Sequence, residues 1–126
     1  MRTLFSLVLL LGLAACSQTA ATGSPTTDPP SADALAVSVA DFMIAPADLE
    51  VAGPTVTISV TNDGPTPHNL TVRDATGDVL MGTEDLSVGE SQTITGELEP
   101  GDYTIFCALA GHESLGMSGT LTVTAP

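Results

Sequence analysis

Four side chains in this 126-residue sequence could together bind a transition metal. Cys107, His112 and Met117 follow one another with the spacing C-x4-H-x4-M, and His68 lies 39 residues before the cysteine. Two imidazole nitrogens, a thiolate and a thioether form a soft nitrogen–sulfur donor set, and His2Cys with a weak axial Met is the ligand chemistry of copper sites that carry electrons. Each residue alone has an ordinary alternative. A lone Cys is more often a small buried hydrophobe, and a lone Met a filler of core gaps. Jointly, however, residues 34–126 place their only Cys and both of their His in one metal-competent pattern. Gly111 and Gly116 interrupt the 107–117 stretch where tight bends are needed to fold three donors around one ion.

Those donors need a scaffold, and the flanking sequence reads as short strands. Val56, Ile58 and Val60 alternate with Thr55, Thr57, Ser59 and Thr61, the pattern of a half-buried strand, and Asn62-Asp63-Gly64-Pro65 closes it as a turn. Leu35, Val37 and Val39 alternate in the same way. Further strands are expected at His68–Arg73, Ser91–Leu98, Asp102–Cys107 and Gly119–Thr124, and Met81–Gly89 reads as loop or short irregular strand. There is no long amphipathic helical pattern. The expectation is an all-β, single-domain Greek-key sandwich or barrel over residues 34–126. Glu99-Pro100-Gly101-Asp102-Tyr103 resembles a tyrosine corner, which makes Tyr103 a structural residue.

Composition removes several function classes. With 2 Lys+Arg against 15 Asp+Glu, the net charge is −13, too negative to neutralise phosphates, so nucleic acid and anionic membrane surfaces are excluded as electrostatic targets. There is no Lys, hence no Schiff base and no P-loop. Two histidines cannot supply the several copper centres of a multicopper enzyme, and a two-copper centre would need a second loop cysteine; no enzymatic activity is expected. The acids are spread along the chain, which favours a solubilising surface over a patch that steers a basic partner.

The amino terminus reads as an address. Arg2 and the apolar run Leu4–Leu13 have the form of a signal peptide, and Leu13-Ala14-Ala15-Cys16 resembles the bacterial lipobox, which implies cleavage after residue 15 and a diacylglycerol on the Cys16 sulfur. Residues 16–33 are small, polar and Pro-containing, a flexible Ser/Thr/Pro linker with a reach of about 23 Å. The expected product is an exported, membrane-anchored lipoprotein, periplasmic or on the outer face of the cytoplasmic membrane. After cleavage Arg73 is its only fixed positive charge and the net charge is 1 − 15 = −14.

Residues 101–117, GDYTIFCALAGHESLGM, resemble the C-terminal copper loop of the cupredoxins, the plastocyanin- and azurin-type blue copper proteins. Tyr103 stands four residues before the Cys, Gly111-His112 matches the family's Gly-His pair, and Gly116-Met117 matches its Gly-Met. His68-Asn69 matches the upstream His followed by Asn, and Asp41-Phe42 through Pro46 is similar to the family's first strand. The resemblance implies one type 1 copper per chain, with His68, Cys107 and His112 as equatorial ligands and Met117 as the axial one. It also implies that Asn69 braces the site. Ala110 departs from the family, where many members have Pro. Met43 and Met81 have no place in the motif and read as packing or loop residues.

The implied function is single-electron shuttling between redox proteins, for example a c-type cytochrome or a membrane oxidase or reductase. The shuttle is expected to be monomeric, and to dock through an apolar patch of Ala108, Leu109, Ala110, Leu115 and the Gly64–Pro67 loop. The alternative is a copper chaperone or storage protein on the same fold.

Overall fold

The computed structural model describes residues 33–126; the leader at 1–15, Cys16 and the rest of the linker before residue 33 lie outside the described residues. Nine strands form two sheets packed face to face: β1 (Leu35–Ala40), β2 (Met43–Ala45), β3 (Asp48–Ala52), β4 (Thr55–Asn62), β5 (Thr71–Arg73), β6 (Val79–Gly82), β7 (Ser91–Glu97), β8 (Gly101–Phe106) and β9 (Ser118–Thr124). One sheet runs β2-β1-β4-β7 and the other β3-β9-β8-β5-β6. The chain crosses between them after β2, β3, β4, β6 and β7, so the all-β Greek-key sandwich expected from the sequence is the fold.

The alternation of Thr and β-branched residues explains the core. In β4 the inward positions Val56, Ile58 and Val60 are fully buried, while the threonines between them are partly exposed and pair across to β7, Thr57 with Thr95 and Thr61 with Ser91. Val37 and Val39 of β1 lie beside them; Leu70, Val72, Ile105, Leu121 and Val123 supply the facing layer. Asn62 continues the β4 alternation and is also wholly buried, the one polar residue in that inward row. The tyrosine corner closes as a hydrogen bond, 2.7 Å from the Tyr103 hydroxyl to the Glu99 carbonyl.

The strand expected at His68–Arg73 is shorter than the pattern suggests. Only Thr71–Arg73 pairs as strand, whereas His68 makes a single bridge to Leu86, with amides donating both ways at 3.1 and 2.7 Å. Just ahead of β5 the ladder is interrupted, because the Leu70 amide donates to the Thr83 hydroxyl at 3.0 Å instead of to a strand carbonyl. Cys107 lies one residue beyond β8 rather than within it. The Met81–Gly89 stretch divides, with Met81 and Gly82 in β6 and the remainder in loop. Strand β2 falls inside the Asp41–Pro46 segment likened to a first strand, whereas β3 has no counterpart in the sequence-based expectation: its Leu49 and Val51 alternate with exposed Asp48, Glu50 and Ala52, but over only five residues.

Candidate metal centre

Three of the four candidate donors, His68, Cys107 and His112, come together, and the backbone of the fourth, Met117, is tied to that of Cys107. Cys107 leaves β8, the chain loops through His112 and a short 3-10 turn at Glu113–Leu115, and Met117 leads into β9. The β8–β9 pairing draws both ends of the loop together, and the Cys107 amide donates to the Met117 carbonyl at 3.0 Å while the Met117 amide donates to the His112 carbonyl at 3.1 Å. Gly111 and Gly116 take φ of 84° and 113°, the left-handed values such bends require. Gly116 also caps the 3-10 turn through its amide to Glu113.

His68 enters from the segment before β5, held by its bridge to Leu86. Its Nδ1 lies 3.3 Å from His112 Nδ1, and Cys107 Sγ lies 3.6 Å from that same nitrogen. One donor atom from each of the three residues falls within 4.8 Å of the others. Cys107 and Met117 are completely buried and His68 is 1% exposed, whereas His112 is half-buried. The cluster therefore has a sealed interior and one edge toward solvent. Two imidazoles and a thiol with converging donor atoms fit one copper ion.

Around these donors a hydrogen-bonded frame restricts movement. The Asn69 side chain accepts from the Ala108 amide at 2.7 Å and donates to Asp85 at 2.8 Å, tying the His68 segment to the residue after Cys107. Buried Asn62 donates to the carbonyls of Thr66 and Leu86 at 2.8 and 2.9 Å and accepts from the Gly64 amide at 2.9 Å. His68 Nε2 donates to Asp41 at 2.9 Å, and the Thr66 hydroxyl donates to the same carboxylate oxygen at 2.6 Å. The hydrogen bond from Thr66, and then that from His68, hold the Asp41 carboxyl below its ordinary range.

Three parts of this frame escape the sequence reading. Asn62 reads as a turn residue, yet its place in the β4 alternation points inward. Asp41 reads only as a member of a strand motif. Arg73 makes a bidentate pair with Glu113 and lies over the Phe106 ring at 4.3 Å, so its charge anchors the residue after His112 to the residue before Cys107. The expected apolar patch is also altered. Gly64 is buried and does not belong to it, whereas Phe42, more than half exposed, does. Phe42 meets His112 edge-on at 6.3 Å, and with Pro67 and Leu109 it lines an open cleft at the two histidines. Its φ of 60° is unusual for a non-glycine residue and aims the ring across that cleft.

Comparison with known proteins agrees with this fold. A family model described as a cupredoxin-like domain matches residues 5–123. Among solved structures, a dithionite-reduced auracyanin from the photosynthetic bacterium Roseiflexus castenholzii superposes with TM-score 0.65 at 20% identity, over 75% of this chain and 99% of that one. Auracyanin B gives 0.66 at 23% identity, over 77% and 92%. An azurin from the obligate methylotroph Methylomonas sp. strain J gives 0.65 at 19%, over 75% and 99%. At these identities the likeness is one of fold. No curated protein matches the chain.

Proposed function

This chain belongs to the cupredoxin-like family, and on that premise we propose that it is a type 1 copper protein that carries single electrons between redox partners. His68, Cys107 and His112 would hold the ion, with Met117 as the additional weak ligand. The observation that carries this reading is the convergence of one donor atom each from His68, His112 and Cys107 within 4.8 Å in a largely buried cluster. A bound copper ion supplies the Cu(I)/Cu(II) couple.

The protein's part is to hold the donors still. Asn69, Asn62 and the Cys107–Met117 backbone bond fix the ligand positions before any ion enters. A site that cannot relax toward the preference of either oxidation state has little to reorganise when the electron moves, which keeps the barrier low. His112 supplies the exit, because its half-buried ring opens on the apolar cleft of Phe42, Pro67 and Leu109, where a transient partner docks. Both histidines are committed to one site, so the protein acts as a carrier and not as an enzyme.

The leader and Cys16 support export and lipid anchoring, with residues 16–33 as tether and 34–126 as the copper domain. The anchored protein is a monomer outside the cytoplasm that serves other redox proteins, such as a c-type cytochrome or a membrane oxidase or reductase. Copper delivery or storage is the competing role, and the sealed position of Cys107 and Met117 disfavours it, because transfer of an ion between proteins needs reachable ligands.

Titration with Cu(II) under absorption and EPR spectroscopy tests the site. An intense blue thiolate-to-copper band saturating at one equivalent, and lost in Cys107→Ser, is the expected result. Tight binding without that band would favour delivery or storage, and no binding would overturn the copper reading.

A further inference from the structure

We propose that Asp41 is a positioning residue of the metal centre: its carboxylate fixes the His68 ring with the proton on Nε2, leaving Nδ1 free as a donor, and strengthens that donor toward Cu(II). The proposal rests on the copper reading above. Its geometry is independent of any ion. Asp41 stands in the turn between β1 and β2, and its Oδ1 lies 2.9 Å from His68 Nε2. An ionised carboxylate can only accept, so the ring nitrogen facing it must carry hydrogen. The opposite nitrogen, Nδ1, then presents its lone pair toward His112, whose Nδ1 lies 3.3 Å away.

The carboxylate is itself oriented. Thr66 donates its hydroxyl to the same oxygen at 2.6 Å, and the Thr66 carbonyl is anchored by buried Asn62 at 2.8 Å. The loop packs closely there, since a side chain at Gly64 would come within 3.1 Å of His68 Nε2 and 2.9 Å of the Ala40 Cα. One series of contacts thus runs from the core of β4 through Thr66 and Asp41 to the outer nitrogen of a ligand. His68 is 1% exposed and the Asp41 side chain 38%, so a surface carboxylate reaches a buried ring.

The choice of an anion over a neutral acceptor has a consequence. A carboxylate behind an imidazole raises its basicity, and the added negative charge favours the doubly charged ion over the singly charged one. Asp41 therefore lowers the reduction potential of this centre relative to the same fold with a neutral acceptor.

The test is D41N in the full protein, because Asn keeps the size and an acceptor oxygen but removes the charge. Cu(II) affinity should fall by about 10-fold or more, Cu(I) affinity by less, and the blue band should persist. Each tenfold change in the ratio of the two affinities raises the potential by about 59 mV. An unchanged ratio would overturn the electronic half of the proposal. The positioning half is read without copper: the imidazole 15N spectrum of the metal-free protein should show His68 as the Nε2–H tautomer, and D41A should lose that preference. The same tautomer in D41A would overturn it. A wild-type chain that binds no copper would defeat the copper reading alone, since the metal-free spectrum still decides what Asp41 does.

Discussion

Replacing Asn62 with Ala should cost far more than a turn residue ordinarily does. The side chain is completely buried and makes three hydrogen bonds, to the carbonyls of Thr66 and Leu86 and from the amide of Gly64. Their losses are unequal. Thr66 is exposed, so its carbonyl can turn to water. The Leu86 carbonyl keeps the His68 amide at 3.1 Å. The Gly64 amide is buried and loses its side-chain acceptor, at a cost of about 1–3 kcal/mol, on top of about 1 kcal/mol for the net loss of the other two bonds together. The sum is roughly 2–4 kcal/mol, a large part of the stability of a domain this size. Urea unfolding of the metal-free protein, followed by circular dichroism, measures it. Thr61→Ala, which removes only the exposed pair with Ser91, is the control and should stay within about 0.5 kcal/mol. Because Asn62 and His68 share the Leu86 carbonyl, Asn62→Ala should also weaken copper binding, which the control should not. An Asn62→Ala midpoint equal to that of the control would refute the reasoning.

Met117 is wholly buried, and Met117→Leu conserves volume, so it should cost under about 1.5 kcal/mol and keep the blue band while raising the potential through loss of the thioether; an unchanged potential would make Met117 a packing residue only. Leu115 is 60% exposed at the end of the 3-10 turn that follows His112, and Leu115→Asp should slow electron exchange with a partner protein while leaving the copper spectrum intact; equal rates would remove Leu115 from the docking surface. Asp74 accepts from the Thr76 hydroxyl and amide and from the Asp78 amide, and the Thr76 hydroxyl above all lowers its pKa below the ordinary 3.8. The stability it lends is full above that value and disappears as pH falls below it, so the gap between wild type and Asp74→Asn should close in acid; a gap constant from pH 7 to pH 3 would contradict this sign.

The sandwich was legible because its strands obey a period of two. Val56, Ile58 and Val60, or Val37 and Val39, announce a buried face without help from distant residues. Strand β3 has the same period, Leu49 and Val51 alternating with exposed Asp48, Glu50 and Ala52, but is too short to stand out, and the three residues of β2 are held by pairing with β1, a long-range fact that local sequence does not contain. The grouping of His68, Cys107 and His112 was legible for a different reason: few residue types bind soft metals, and residues 34–126 spend their only Cys and both of their His in one place. What supports those donors is built from common residues, and only the fold brings them together. Asp41 lies 27 positions from His68, and Arg73 lies 40 from Glu113. Asn62 is the instructive case. Its inward place followed from the alternation, but Asn-Asp-Gly-Pro is so strong a turn signal that it conceals the buried role.

The central claim is that this centre carries electrons and keeps its ion while doing so. Voltammetry of the copper-loaded protein, with copper assayed in the surrounding solution through repeated cycles, tests it most directly. The expected result is a reversible one-electron wave at one copper per chain, with no metal released. Release on reduction, or a wave that decays with cycling, would contradict it and identify a protein that hands over copper instead.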